Sequence, residues 1–276
     1  MRKCCYLLAA TVLMCWSVAQ AQEPPRFRLR TGEVLQYRVQ QKTRVSQSLE
    51  GESASFESVT ELVKRWQVLQ AEADGSMIVQ LTIPEIKLMQ RLPNGQNIMY
   101  DSSKPDESHP ALRQQMEQFL GKPTVKLKLD ARGQVLEAQA LLAVPVGHFA
   151  QEPPFAIVLP QDAWRPQLRW TRPYTLVLEP PLGTGEKYHA EQQLELRSWN
   201  DQQAEIAWLT DIKNPPATAS EKIPLLQKIT RGVAVFDQVN RRVTLVRIEA
   251  GGTVEGHEGP RSKYEFFSEY VERLMP

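Results

Sequence analysis

The stretch ALRQQMEQFLGKPTVKLKLDARGQVLEAQA, residues 111–140, decides the fold that we predict for this chain. Its first ten residues place apolar side chains at i, i+4, i+7 and i+8, which gives a short helix one apolar stripe. The stripe consists of Leu112, Met116, Phe119 and Leu120. Gly121 and Pro123 end the helix, and apolar and polar residues then alternate on both sides of a turn at 130–133. The stretch therefore predicts a helix too short to be stable alone, docked on an antiparallel sheet.

A weaker echo of this unit runs over residues 222–250. A short apolar stripe comes first, Gly232 stands in the place of Gly121, and two alternating runs flank a turn at 240–241. The stripe consists of Leu225, Leu226 and Ile229. We interpret the echo as an internal duplication, in which both helices lie at related positions on one sheet.

The rest of the chain contains further alternating runs separated by turn residues. The clearest are a hairpin across Asp74-Gly75 and a strand over 187–199 with one wholly polar face. Residues 143–173 break this pattern with six prolines. We therefore predict a mainly β fold: a large curved antiparallel sheet or partly open barrel from two related halves, each with a short helix. The halves cover residues 22–142 and 174–276, and the Pro-rich segment 143–173 crosses between them.

The N-terminus has the order of a secretory signal peptide. Arg2 and Lys3 precede an apolar run, and the triplet at 19–21 fits a cleavage site after Ala21. A membrane anchor is disfavoured because the unbroken apolar run is shorter than the roughly 20 residues that a bilayer needs. Lipid attachment at Cys15 is disfavoured because a bulky methionine precedes it. Residues 1–21 are thus predicted to direct export, to the periplasm or the extracellular space.

Composition excludes several classes of function for the exported chain. All three cysteines lie within residues 1–21, so the remainder has no thiol, disulfide or cysteine-ligated metal. Without Arg2 and Lys3 the chain carries 31 basic and 32 acidic side chains with interspersed signs. A nucleic-acid interface needs a clustered basic face, so none is predicted. No second apolar stretch is long enough to span a membrane.

No motif in the sequence identifies a catalytic or metal-binding site. The four histidines, His109, His148, His189 and His257, have no ligand spacing, and no cofactor is predicted. The Gly-rich stretch 183–187 lacks the following helix of a phosphate loop and is interpreted as a β-turn. A nucleophile elbow is absent from the sequence. A Ser/His/Asp triad or a carboxylate pair assembled from distant positions remains open.

Aromatic residues give the first candidates for a ligand pocket. Trp66 and Trp208 lie on alternating apolar faces and are expected in the core. Trp164 and Trp170 are less constrained by pattern, and we predict that they form a pocket rim. The duplication adds two more residues, because it directs one residue of each helix to the same concave face. The predicted ligand-binding set is Trp164, Trp170, Met116 and Leu226.

Short segments of the chain resemble landmarks of a known family. They are GEVLQYRV at 32–39, Tyr100-Asp101-Ser102, Leu159-Pro160 with Trp170 downstream, and Phe236-Asp237. These segments are similar to those of an uncharacterised domain-of-unknown-function family of secreted bacterial proteins. The predicted arrangement of strands and short helices also resembles the half-barrels of periplasmic lipoprotein carriers. These resemblances imply export and a β-rich fold, and they imply no catalytic residues.

Three hypotheses about function follow from the sequence. The first is a secreted, non-enzymatic binding or scaffolding protein whose concave face receives an apolar small molecule, a lipid or a segment of an envelope protein. The second is a secreted hydrolase with catalytic residues dispersed in sequence, which predicts a shifted carboxylate or a Ser–His contact in the deepest pocket. The third is a structural envelope component, which predicts a large exposed apolar patch and no pocket. The missing catalytic motifs favour the first.

Overall fold

The computed structural model describes residues 23–143, 149 and 151–276. These residues form one open antiparallel sheet of twelve strands with two short α-helices, which confirms the mainly β prediction. The strands are β1 Val34–Leu49, β2 Glu52–Ala71, β3 Met77–Arg91, β4 Asn97–Asp101, β5 Pro123–Leu129, β6 Val135–Ala140, β7 Arg169–Leu178, β8 Glu186–Trp199, β9 Gln203–Ile212, β10 Thr230–Asp237, β11 Arg242–Glu255 and β12 Lys263–Leu274. The helices are α1 Pro110–Met116 and α2 Ala219–Lys222.

The strand order shows two related halves. Along the sheet it is β6-β5-β3-β2-β1-β12-β11-β10-β9-β8-β7, and β4 pairs separately with β3. In each half three consecutive strands form a meander, a short helix follows, and a hairpin then extends the sheet. The first hairpin is β5–β6 and the second is β10–β11, so the two halves of the sheet share this order of elements. The extra strand β12 lies between β11 and β1 and joins the halves.

Period-two alternation sets which residues face the core. In β1, Leu35, Tyr37 and Val39 are buried, and the residues between them are exposed. The polar stretch from Gln41 to Phe56 covers the end of β1, the turn and the start of β2. It is a ribbon, because β1 and β2 stay paired from Val34↔Gln67 to Leu49↔Glu52.

The interior of the sheet is filled by a non-repetitive stretch, residues 151–168, which we call the inner segment. The sheet curves around it, so that the segment packs in one cluster with buried residues of β5 and of β8. Phe155 at its centre is fully buried, with its ring 5.6 Å from that of Phe27 and 5.3 Å from that of Trp66. Buried irregular backbone requires polar partners. The sheet supplies them, since Gln192 and Arg172 donate to the Ala156 carbonyl at 3.0 and 3.3 Å.

The two helical units differ from the prediction in detail. Helix α1 begins at Pro110 as expected but ends at Met116, so Phe119 and Leu120 of the apolar stripe lie beyond it. Gly121 has a left-handed backbone with φ +70°, as a helix terminator should. The interpretation of Gly232 as its counterpart is wrong. Gly232 lies within β10, where a Cβ atom would come 2.3 Å from Cζ2 of Trp208, so it provides room for the indole.

Several predictions concern the chain ends and the crossing segment. The proposed signal peptide, residues 1–21, and His148 lie outside the described residues. Strand β7 begins at Arg169, so the last residues of the predicted crossing segment 143–173 belong to the sheet. Within residues 23–143, 149 and 151–276, no helix is long and apolar enough to cross a membrane.

Candidate functional site

A cleft on the inner face of the sheet is the strongest candidate for a functional site. We call it the central cleft. Its floor is formed by β1, β2, β3, β11 and β12, and the inner segment covers one side of it. Phe119 follows α1 on one wall, and Gln227 and Lys228 follow the second helical unit on another. The duplicated helices therefore lie on the same face of the sheet and flank one cavity.

The central cleft has a volume of about 590 Å³, compared with about 370 Å³ for a groove beside Pro84 and about 280 Å³ for one beside Phe267. Typical ligand pockets enclose about 300–1,000 Å³ and combine apolar walls with a few polar groups. The apolar side chains of the cleft are Val39, Leu62, Leu81, Ile83, Phe119, Phe149, Leu176, Val177, Ile248, Ala250 and Phe266. Its lining thus matches that of an apolar-ligand site.

A buried cluster of charges lies at one end of the cleft. Lys64 of β2 is 3% exposed and forms ion pairs with Glu152 of the inner segment and, at 3.1 Å, with Glu272 of β12. Its ammonium group also donates to the Tyr270 hydroxyl at 2.6 Å, and Tyr270 in turn donates to Glu272. The cluster therefore ties the inner segment to two strands from opposite halves of the sheet.

The pKa directions in this cluster follow from burial and close charges. Burial alone would lower the pKa of Lys64, but Glu152 and Glu272 overcome it, and the pKa is raised. Burial raises the pKa of Glu272, and Lys64 and the Tyr270 hydroxyl offset this only in part. Burial and then Glu272 hold the pKa of Tyr270 well above its usual range. Lys64 keeps its proton firmly, whereas Glu272 binds one more readily than a carboxyl in water.

A second lysine lines the cleft in a different setting. Lys228 is half-buried and lies directly after the turn of 3₁₀ helix at Pro224–Gln227. Burial lowers its pKa, and Glu152 and Glu179 act in the opposite direction. Its ammonium group has no ion pair or side-chain hydrogen bond with the described part of the chain. The described cleft therefore contains one lysine in direct ion pairs with two carboxylates, and one that two carboxylates attract without a direct ion pair.

The predicted rim residues Trp164 and Trp170 lie together, with ring centroids 6.4 Å apart. The Trp164 indole donates to Oε1 of Gln238 at 2.7 Å, and the Trp170 indole donates to the Val158 carbonyl at 2.7 Å. Trp164 of the inner segment is buried in the core cluster, and Trp170 of β7 packs against that cluster. Neither is among the described residues that line the central cleft.

The other two predicted residues, Met116 and Leu226, lie in separate buried clusters, and neither is among the described residues that line the central cleft. Met116 is buried beside Ile86 and Leu88, and Leu226 is buried beside Val254 and Phe266. Both side chains help to seat their helical units. The described lining of the cleft contains instead two half-buried residues that lie near them in the sequence, Phe119 and Gln227.

Sequence patterns did not predict that five residues meet at the cleft: Lys64, Glu152, Lys228, Tyr270 and Glu272. A signal for two of them was present. Lys64 falls between Leu62 and Trp66 in the inward register of β2, and Glu272 follows Tyr270 in the inward register of β12. A charged residue at an inward strand position indicates a buried partner. Among the described residues, no three side chains of His, Cys, Asp or Glu group as metal ligands.

The buried protons of this core predict a loss of stability at alkaline pH. Tyr37, Tyr270 and Lys64 all have raised pKa values, so the folded state keeps protons that the unfolded chain releases above about pH 10. Their contribution is complete below that pH and is lost as the pH rises further. The free energy of unfolding should fall by up to about 4 kcal/mol per pH unit, at about 1.4 per proton. Urea unfolding between pH 8 and 11 measures this.

The matched variant for this measurement is Tyr37→Phe, because Tyr37 is buried and its hydroxyl donates only to the Val243 carbonyl, at 2.7 Å. We expect the variant to be less stable at pH 8 and to show a slope smaller by about one proton. An unchanged alkaline slope would contradict the assignment of a buried, protonated Tyr37.

Comparison with known proteins gives information on the fold of the chain. No family model and no curated protein matches the chain. Over 90% of its length the chain is similar to a structure of lipovitellin that describes lipid–protein interactions, with a TM-score of 0.50 and 12% identity. The chain spans only 26% of that lipovitellin chain. At this identity the similarity concerns the fold alone.

Two bacterial structures align more loosely. The MucA/MucB complex of Pseudomonas aeruginosa aligns over 86% of this chain and 89% of that one, at 10% identity and a TM-score of 0.14. A DUF1329 family protein from Desulfovibrio piger aligns over 88% of this chain and 86% of that one, at 10% identity and a TM-score of 0.13. Scores this low support no conclusion about function.

Proposed function

We propose that this protein is a non-enzymatic binding protein that takes the apolar chain of an amphiphile into the central cleft. The observation that carries this proposal is the cleft itself: about 590 Å³, walled by apolar side chains from both halves of the sheet. Burying a chain there removes about 0.8 kcal/mol of unfavourable hydration per methylene group. The similar fold of lipovitellin, whose structure describes lipid–protein interactions, is compatible with this use of the sheet.

The charges of the cleft support binding over hydrolysis. The hydrolase hypothesis requires an accessible titratable group, and Glu272 does have a raised pKa. However, Glu272 is fully buried beneath Lys64, and a general base must come within hydrogen-bond reach of the substrate. The serine that lines the described cleft, Ser268, bonds to Gln41 and Thr43. The cluster is therefore better explained as a tie that holds the cleft together.

We propose that the protein is exported across the cytoplasmic membrane and that residues 1–21 are removed on export. An envelope protein that presents an apolar segment is the alternative occupant of the cleft. Sequencing the N-terminus of the protein purified from its natural host tests the first point. A start at Gln22 is the expected result, and a retained Met1 would contradict it.

Filling the cleft tests the proposed function. Ala250 is half-buried on β11 and lines the cleft, whereas Thr253 on the same strand is exposed. In Ala250→Trp the indole should exclude at least two methylene groups of a bound chain, which lowers affinity about tenfold or more. Displacement of a neutral naphthylamine dye by fatty alcohols of increasing chain length measures the affinity.

The control variant is Thr253→Trp, which adds the same side chain outside the cleft and should bind as the wild type does. For the wild type, affinity should rise with chain length. Equal affinities in Ala250→Trp and Thr253→Trp, or no dependence on chain length, would overturn the proposal.

A further inference from the structure

The two lysines of the central cleft differ in what holds their charge. Lys64 is paired with Glu152 and Glu272 and accepts no further anion without breaking those pairs. Lys228 has no such pair with residues 23–143, 149 or 151–276, although its side chain is half-buried in an apolar wall. Glu152 and Glu179 attract its charge, but neither forms a direct ion pair with it. A partly desolvated ammonium group without a direct ion pair is unfavourable, and an anion bound beside it reduces that cost.

The surroundings of Lys228 would suit a small oxyanion at one end of an apolar chain. Gln227 and Thr230 are the polar residues next to it in the lining, and Leu176 and Val177 of β7 form an apolar surface there. The Thr230 hydroxyl is 3.0 Å from that of Thr210, which leaves it able to take part in a further hydrogen bond. Charge and hydrogen-bonding groups are thus concentrated at one place on the wall.

We propose that the ligand of the central cleft is an amphiphile with an anionic headgroup, a carboxylate or a phosphate, and that Lys228 binds this headgroup. This inference rests on the proposed function and adds the chemical class and the orientation of the ligand. The headgroup lies against Lys228. The chain extends over Leu62 and Ile83 of the floor toward Phe119 on the opposite wall. A cationic amphiphile is disfavoured because its headgroup would meet the like charge of Lys228, which no described carboxylate contacts directly.

Two ligands with the same chain and different headgroups test this assignment. Palmitate and hexadecanol are titrated against the whole protein at neutral pH, with displacement of the neutral dye as the readout. The wild type should bind palmitate about tenfold more tightly than hexadecanol, the effect expected of a charge-assisted hydrogen bond. In Lys228→Met this preference should disappear, because the affinity for palmitate falls to about that for hexadecanol.

The control variant is Lys222→Met, which removes an exposed lysine of α2 near the same wall. It should keep the preference for palmitate, which separates a headgroup contact from general electrostatic attraction. Urea unfolding of Lys228→Met checks that the fold is retained.

The outcomes separate this inference from the proposed function. Binding of hexadecanol with no preference for palmitate, or a preference that survives in Lys228→Met, overturns the assignment of Lys228 and leaves the apolar cleft in place. Failure of both ligands to bind any variant overturns the proposed function, and the inference with it.

Discussion

Replacing Lys64 with methionine should lower the free energy of unfolding by about 3–5 kcal/mol, the cost of removing one partner from a buried ion pair. Methionine fills a similar volume, so the loss comes from the carboxylates of Glu152 and Glu272, which stay in place without their cation. Urea unfolding at neutral pH measures it. The surface variant Lys87→Met, whose pair with Asp101 is long at 3.8 Å, should lose less than about 1 kcal/mol.

A second property distinguishes this effect from a simple packing defect. Burial already raises the pKa of Glu272 in the folded protein, and Lys64 offsets part of this rise. Removing Lys64 should therefore raise the folded pKa of Glu272 further above its value in the unfolded chain. The deficit of Lys64→Met should therefore shrink as the pH falls from 7 toward 5. The double variant Lys64→Met/Glu272→Gln should be more stable than Lys64→Met alone. A deficit that is independent of pH and unaffected by Glu272→Gln would show that the ion pair is not its cause.

Truncating Phe155 to alanine should cost about 3–5 kcal/mol, as for other fully buried aromatic residues. Phe155 lies at the centre of the inner segment, and its ring contacts Phe27 and Trp66, so the change leaves a cavity between the segment and the sheet. The matched variant Phe267→Ala removes a ring that is 46% exposed, and it should change stability by about 0.5 kcal/mol or less. Chemical unfolding of both variants measures the difference. Similar losses for the two would contradict the role of the inner segment as the core of the curved sheet.

Local patterns explain which parts of this fold could be predicted. The alternation in β1, the Asp74-Gly75 turn and the start of α1 at Pro110 depend on residues close in sequence. The repeated order of helix and hairpin also depends on residues close in sequence, because each hairpin is formed by two consecutive strands. Patterns of this kind carry the information that sets secondary structure and the inward face.

The site could not be predicted in the same way, because its members come from distant strands. The inward position of Lys64 is visible in the sequence, but its pairing with Glu272 depends on β12 lying next to β1. No local sequence pattern predicts that β12 pairs with β1. The tryptophans show the same limit, since the depth of Trp164 and Trp170 depends on the path of the inner segment.

The position of β12 has a consequence for how the chain reaches its native state. The first and last strands of the described chain are neighbours at the middle of the sheet, and residues such as Gln41 and Ser268, 227 positions apart, meet there. Each half can form its meander and hairpin from nearby residues, but the seam between the halves also requires β12, which follows both halves in the sequence. Closing so long a loop is entropically slow, and until then β1 and β11 present unpaired edges. We therefore expect the central cleft to assemble only after β12 has paired with β1.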